Sequence, residues 1–239
     1  LKKIEMLYEG KAKRLYRTED PAILLVEYKD SLTAFNAQKR SSIRGKGNLN
    51  NIISAYLLAY VGSKGIPTHF IEIIDETHQA VRGVRIVPLE VVVRNIATGS
   101  LCKRLGIEEG LVLKEPLLEF YLKNDDLGDP IVTKDHIIAF GWADAKEIDE
   151  IKAISLKVNA ILKDRFREAG IVLVDFKLEF GRLPDGGIIL ADEISPDTCR
   201  LWDISSGEKM DKDRFRKDLG NVLESYREVW KRLSEGGSK

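Results

Sequence analysis

The chain has 239 residues, enough for one large domain or two moderate ones with real cores. Its 38 Lys and Arg balance 38 Asp and Glu, so no global basic field exists to hold nucleic acid, and attraction for anions must come from local clusters. No apolar run approaches a membrane span, no signal-peptide pattern opens the chain, and Cys102 and Cys199 form neither a CxxC motif nor a disulfide framework; a cytoplasmic protein without membrane or nucleic-acid partners is expected.

In chain order, residues 3–8 and 13–16 read as strands flanking Glu9-Gly10-Lys11-Ala12-Lys13. Gly10 permits a tight bend and close backbone approach to a ligand. Lys11 and Lys13, two apart on an extended segment, face the same way and form a candidate phosphate clamp; the alternative is an edge strand protected by lysines. Residues 23–28 form another strand. The polar stretch 31–48, with Lys39, Arg40, Arg44 and Lys46, reads as a mobile loop whose cations could meet an anionic substrate or simply be solvated. Asn48 caps a helix with Leu49, Ile52, Ile53, Tyr56, Leu57, Tyr60 and Val61 on one face, and Gly62, Gly65 and Pro67 end it. Strands are expected over 68–74 and 81–87. Pro88 removes a ladder donor and should break or bend the sheet. That marks the junction of an N-terminal lobe, 1–88, and a C-terminal lobe, 89–239.

Arg94 and Asn95 close the next strand, and Thr98-Gly99-Ser100 opens a short helix that could receive a phosphate or carboxylate, or be capped by Thr98 or Ser100. A strand over 117–122 leads into Lys123 and a Gly-Asp-Pro turn. Asp144 and Glu147 form a capping-box pattern for a helix to about Ala169, with Ile148, Ile151, Val158, Ile161 and Leu162 inward. A hairpin follows. Asp175, Lys177 and Glu179 alternate with Phe176, Leu178 and Phe180, so the charged three share one face. With Asp185-Gly186 as the two-residue turn, Glu179 lies opposite Asp192. Like charges in that position need a neutralising partner, and two carboxylates on a rigid hairpin suit Mg²⁺; a solvated face screened by Lys177 is the other reading. Asp197 and Arg200 sit on the turn-rich loop that leaves the acid-bearing strand end. A final helix is expected from Asp211 to Leu233, burying Phe215, Leu219, Val222, Leu223, Tyr226, Val229, Trp230 and Leu233.

A lysine turn in one lobe and an acid pair in the other suggest ATP between them, and pattern reasoning stops at nucleotide-dependent phosphoryl chemistry. The segments YEGKAKRLY, GKGNLNN, VVVRNIATGSLCKRLG, LVDFKLEFG, DEISPDTCRLWD and MDKDRFR closely resemble those of the phosphoribosylaminoimidazole-succinocarboxamide synthase (SAICAR synthetase) family, in order and over nearly the whole chain. The resemblance implies a two-lobed, α+β, ATP-grasp-like fold with antiparallel sheets flanked by helices. It implies an ATP-dependent ligase joining 5-aminoimidazole-4-carboxyribonucleotide to L-aspartate in purine biosynthesis, with ATP and Mg²⁺ as cofactors. Gly10, Lys11, Ala12 and Lys13 would hold ATP phosphates, Ile86 and Glu90 the adenine, and Lys123 would lie near the nucleotide. Glu179 and Asp192 would bind Mg²⁺. Arg94, Ser100, Lys177, Asp197 and Arg200 would bind the ribonucleotide, with Asp175 orienting that site; Lys11, Lys13 and Lys177 would serve the chemistry. Phe35-Asn36 stands where some members carry Gly-Asp. A small-molecule kinase and a non-catalytic nucleotide-binding regulator are the competing readings, and assembly into homo-oligomers stays open.

Overall fold

The computed structural model of the chain describes residues 1–34 and 38–236. β1 (Lys3–Glu9) and β2 (Lys13–Thr18) run antiparallel around the expected turn, where Gly10 N–H donates to Lys13 O at 2.8 Å. β3 (Ile23–Tyr28) pairs with β2. The stretch read as a mobile loop is a hairpin, β4 (Ser31–Ala34) and β5 (Lys39–Ser42), and Leu32 inside it is fully buried in the main core. One apolar anchor among many polar residues left no periodicity to detect. Phe35 and Asn36 lie outside the described residues.

Helix α1 (Lys46–Ser63) begins before Asn48, because Asp30 supplies its cap from a distance: Oδ1 accepts from the N–H groups of Gly45 at 3.2 Å and Gly47 at 2.9 Å. Leu49, Ile53, Leu57 and Val61 face inward as expected. β6 (Phe70–Ile73) and β7 (His78–Arg82) complete the first sheet, in the order β1-β2-β3-β7-β6. The chain then changes sheets at Gly83-Val84.

β8 (Arg85–Ile96) continues through Pro88 without a break. Ile86 pairs with Gly181 and Glu90 with Glu179, so residues 87–89 bulge opposite Phe180, and the bulge accommodates the missing proline donor. A Cβ at Gly181 would collide with Val84, so only glycine lets the sheet-to-sheet connection pass there. α2 (Ser100–Leu105), β9 (Val112–Leu122), β10 (Ile131–Val132) and α3 (Lys134–Ala139) follow. α4 (Ala145–Glu168) carries the expected capping box between Asp144 and Glu147. β11 (Ile171–Arg182), β12 (Ile188–Ala191) and β13 (Cys199–Asp203) finish the second sheet, ordered β10-β9-β8-β11-β12, with β13 against the first half of β11.

The single C-terminal helix is instead two, α5 (Asp213–Arg216) and α6 (Val222–Glu235). Asp218, Gly220 and Asn221 all take positive φ between them, and Leu219 is exposed rather than buried. α1, α4 and α6 pack with β8 and β11 in one core containing Ile53, Val93, Leu162, Phe166, Phe176 and Tyr226. Arg165 Nε donates to Tyr56 OH at 2.7 Å, tying α4 to α1. No helix among the described residues is long and apolar enough to cross a membrane.

Candidate active site

The two sheets border a cleft of about 860 Å³, and a smaller, mainly apolar pocket of about 150 Å³ opens beside it. Lys13, Lys123, Glu179 and Asp192 line both spaces and so stand at their junction. Leu15, Leu24, Val26 and Ile86 form apolar walls of the small pocket. Ile86, expected at the adenine, lines this pocket and also the larger cleft. Glu90, expected beside it, faces the larger cleft and pairs with Lys177, Oε1 to Nζ 2.5 Å.

Asp175, Lys177 and Glu179 do share one face of β11, and all three line the cleft. The hairpin register differs from expectation. Leu183 N–H donates to Gly187 O at 2.9 Å, which makes the turn longer than two residues, and Glu179 pairs with Ala191. Asp192 lies one residue beyond β12 with φ 58°, and this left-handed conformation brings it into the site. Each acid has its own lysine: Lys123 contacts Glu179, and Lys13 contacts Asp192. Lys13 also reaches Glu193 Oε1 at 3.2 Å, a buried acid that the alternation pattern did not single out. Lys11 pairs with Asp125 at 2.7 Å at the exposed rim of the cleft.

These charges support one another. Burial acts to lower the Lys177 pKa, yet Glu179, Glu90 and Asp192 outweigh it and hold the ammonium above its ordinary range. Burial likewise opposes ionisation of Asp192, but Lys13, Lys177 and Lys123 keep its carboxyl below the usual range. Glu90 moves the other way: burial raises its pKa despite Lys177, and the negative charges of Glu179 and Asp129 add to the rise.

A second cluster occupies the far side of the cleft. Asp175 Oδ2 accepts from Arg94 Nη1 at 2.6 Å and from Arg200 Nη1 at 2.8 Å. Glu119 holds Arg94 Nε at 2.7 Å, and Asp213 holds Arg200 Nε at 3.1 Å. Arg94 Nη2 donates to Ser100 Oγ at 3.1 Å, so Ser100 joins the cluster rather than capping its helix. Gly99, at φ 59°, lies under Arg200: an added Cβ would be 2.6 Å from Nη2. Arg104 also pairs with Glu119 and Arg216 with Asp213, so Arg94, Arg104, Arg200 and Arg216 outnumber Asp175, Glu119 and Asp213, and the excess positive charge suits a phosphate or carboxylate ligand.

Asp197 borders the cleft, but its own carboxylate is occupied. Oδ2 accepts from Lys46 Nζ at 2.6 Å and Asn50 Nδ2 at 3.0 Å, and Oδ1 from Tyr226 OH at 2.6 Å. Lys46, read as a loop cation, is thus a fully buried partner at the start of α1. Lys212 and Arg216 also face the cleft. They belong to the MDKDRFR segment, which carried resemblance but no assigned role. Lys212 makes no side-chain hydrogen bond or ion pair among the described residues, and burial lowers its pKa against the opposing charge of Asp197.

Among the described residues no three His, Cys, Asp or Glu side chains converge at metal-binding spacing. Glu179 and Asp192 nevertheless offer hard oxygen donors at the mouth of a pocket. Mg²⁺ commonly takes one or two carboxylates and fills its remaining positions with water and phosphate oxygens, so the donor set fits that ion.

The family model described as SAICAR synthetase matches residues 6–233. The chain is 57% identical over 233 residues to the phosphoribosylaminoimidazole-succinocarboxamide synthase of Bacillus cereus (strain G9842), covering 98% of each. It is similar in structure to the phosphoribosylaminoimidazole-succinocarboxamide synthase from Ehrlichia chaffeensis, with a TM-score of 0.95 at 50% identity over 96% of this chain and 98% of that one. It is also similar to a SAICAR synthetase (Type-2) in complex with ADP, with a TM-score of 0.93 at 46% identity over 95% and 97% of the two chains. On sequence and architecture alike, this chain belongs to the SAICAR synthetase family and has its α+β, ATP-grasp-like fold.

Proposed function

We propose that this chain joins 5-aminoimidazole-4-carboxyribonucleotide to L-aspartate at the expense of ATP, giving SAICAR, ADP and phosphate in de novo purine biosynthesis in the cytoplasm. The observation that carries this reading is the order of groups in one cleft: an apolar pocket, then the Lys13, Lys123, Glu179 and Asp192 junction, then the Arg94–Asp175–Arg200 cluster. A nucleoside triphosphate and an anionic ribonucleotide laid along it meet at Lys177. Residues 1–88 clamp the nucleotide, and residues 89–239 supply the acids and the ribonucleotide site.

A carboxylate resists attack by an amine because oxide would have to leave. Attack of the ribonucleotide carboxylate on the γ-phosphorus releases ADP and makes an acyl phosphate. The aspartate amine then attacks the acyl carbon, phosphate leaves, and the nitrogen gives up a proton. Lys11 and Lys13 hold the phosphate chain, Lys177 stabilises charge at the reacting centre, and Arg94 and Arg200 hold the ribonucleotide in line. Ser100 steadies Arg94, and Asp175 orients both arginines. Mg²⁺, held by Glu179 and Asp192, supplies charge neutralisation on phosphate oxygens when bound. Lys212, which has no hydrogen-bonded or ion-paired acid among the described residues, is a cation suited to meet a carboxylate of L-aspartate.

The test is ADP release measured with and without L-aspartate. Release that requires both the ribonucleotide and the amino acid is expected. A stable phosphorylated product formed without the amine would identify a kinase, and ATP binding without turnover would identify a regulator.

A further inference from the structure

Arg200 is held between two segments far apart in the chain. Gly99 lies under its guanidinium, and Asp213 on α5 accepts from its Nε at 3.1 Å. Neither segment holds its own place. α5 has four residues, too few for a helix to stand alone, and Asp218 and Gly220 beyond it take positive φ. The Thr98-Gly99-Ser100 turn opens a helix of only six residues. Contacts from outside must therefore fix the spacing between the two.

Glu109, in the loop after α2, touches both. Its Oε1 accepts from Thr98 Oγ1 at 2.9 Å, from Lys209 Nζ at 3.0 Å and from Lys217 Nζ at 3.0 Å. Lys209 and Lys217 bracket the stretch that carries Lys212, Asp213 and Arg216, so one carboxylate grips that stretch on either side of α5 and the base of the turn as well. The loop is itself tied to the end of β8: Gly110 N–H donates to Ala97 O at 2.9 Å, and Ala97 N–H to Leu111 O at 2.8 Å. A single exposed ion pair is weak, and the Glu109 side chain is 43% exposed. Here, however, two lysines and the hydroxyl of fully buried Thr98 converge on one group. Burial opposes its ionisation, yet Lys217, Lys209 and Thr98 hold its pKa at about 2, so the clasp is charged at neutral pH. Glu109, Lys209 and Lys217 are not among the residues lining the cleft, and they reach it only through the segments they hold.

We propose that Glu109 is a positioning residue for the ligase reaction: it clasps the Thr98-Gly99-Ser100 turn to α5 and thereby sets the pose of Arg200 toward the ribonucleotide. This rests on the assignment of the Arg94–Asp175–Arg200 cluster to that substrate. Without the clasp, Asp213 and Gly99 are free to separate, and the guanidinium between them loses its fixed direction, which an anionic ligand held in line requires.

The test is steady-state kinetics of Glu109→Ala, with the ribonucleotide and ATP varied in turn, beside Arg200→Ala. In Glu109→Ala the Michaelis constant for the ribonucleotide is expected to rise about threefold to tenfold, with that for ATP unchanged. Loss of folded protein would lower the apparent kcat and leave both constants alone, so the split separates positioning from stability. An unchanged constant for the ribonucleotide, or equal rises for both substrates, would overturn the role of Glu109. If Arg200→Ala leaves the ribonucleotide constant unchanged, the assignment of the cluster falls and the inference with it; if only Glu109→Ala does, the cluster stands and the clasp falls. Lys217 acts through the same carboxylate, so Glu109→Ala combined with Lys217→Ala should match Glu109→Ala alone. Additive losses would make the contacts independent and overturn the clasp.

Discussion

Asp192 takes a left-handed conformation at φ 58°, which costs an L residue about 1–2 kcal/mol unless local hydrogen bonding offsets it. In return its carboxylate leaves the β ladder and meets Lys13. Alternation along β11 located Glu179, but no periodicity specifies a residue that steps out of register. Gly99 is the corresponding case in the Arg94–Asp175–Arg200 cluster, held at φ 59° under Arg200. Gly99→Ala should push Arg200 from Asp175 and strain the backbone by about 1–3 kcal/mol. The Michaelis constant for the ribonucleotide is expected to rise about tenfold, the equivalent of about 1.4 kcal/mol, with little change for ATP. Steady-state kinetics with each substrate varied in turn will check this; equal effects on both would refute a local role for Gly99.

Local signals decided some elements and misled on others. The Asp144–Glu147 capping box fixes the start of α4 because both reciprocal hydrogen bonds form, at 2.8 and 2.9 Å. Asp144→Ala should cost about 1 kcal/mol and lower the melting temperature by about 2–4 °C, with kcat/KM unchanged, since α4 lies behind the sheet and touches no site group. α1 shows the opposite situation. Its cap comes from Asp30, so the start of the helix could not be read from its own first residues. The C-terminal apolar stripe looked continuous through Leu219, yet Gly220 and Asn221 break the helix there. That break leaves α5 free to bring Asp213 against Arg200.

At the scale of the molecule, balanced charge conceals strong local pairing. Glu27, Glu109 and Glu147 each have a pKa of about 2 against an ordinary 4.5. Burial opposes ionisation of Glu27 and Glu109 but is outweighed, by Tyr16 and Lys3 for the first and by Lys217 and Lys209 for the second; Arg182 is the main cause for Glu147. Because these pKa values are lower in the folded chain than in the unfolded one, their stabilisation is complete above pH 4.5 and fades as pH falls from 4.5 to about 2. Urea midpoints measured between pH 6 and pH 2 should therefore drop steeply below about 4.5. Glu147→Gln should flatten part of that slope, and an unchanged slope would remove Glu147 from the account.

The sequence by itself determined most strands, the long helix α4, the glycine-lysine turn, the charged face of β11 and, through its ordered motifs, the family. These depend on residues close together in the chain, whose spacing and turn chemistry leave a readable pattern. Only the tertiary structure decided that Glu193 joins Lys13, that Lys46 and Tyr226 occupy Asp197, that Glu90 meets Lys177 in the larger cleft, and that β8 bulges through Pro88. Each depends on partners brought together from distant parts of the chain. Charge and burial settle such contacts, and neither can be read until the two sheets have closed on their cleft.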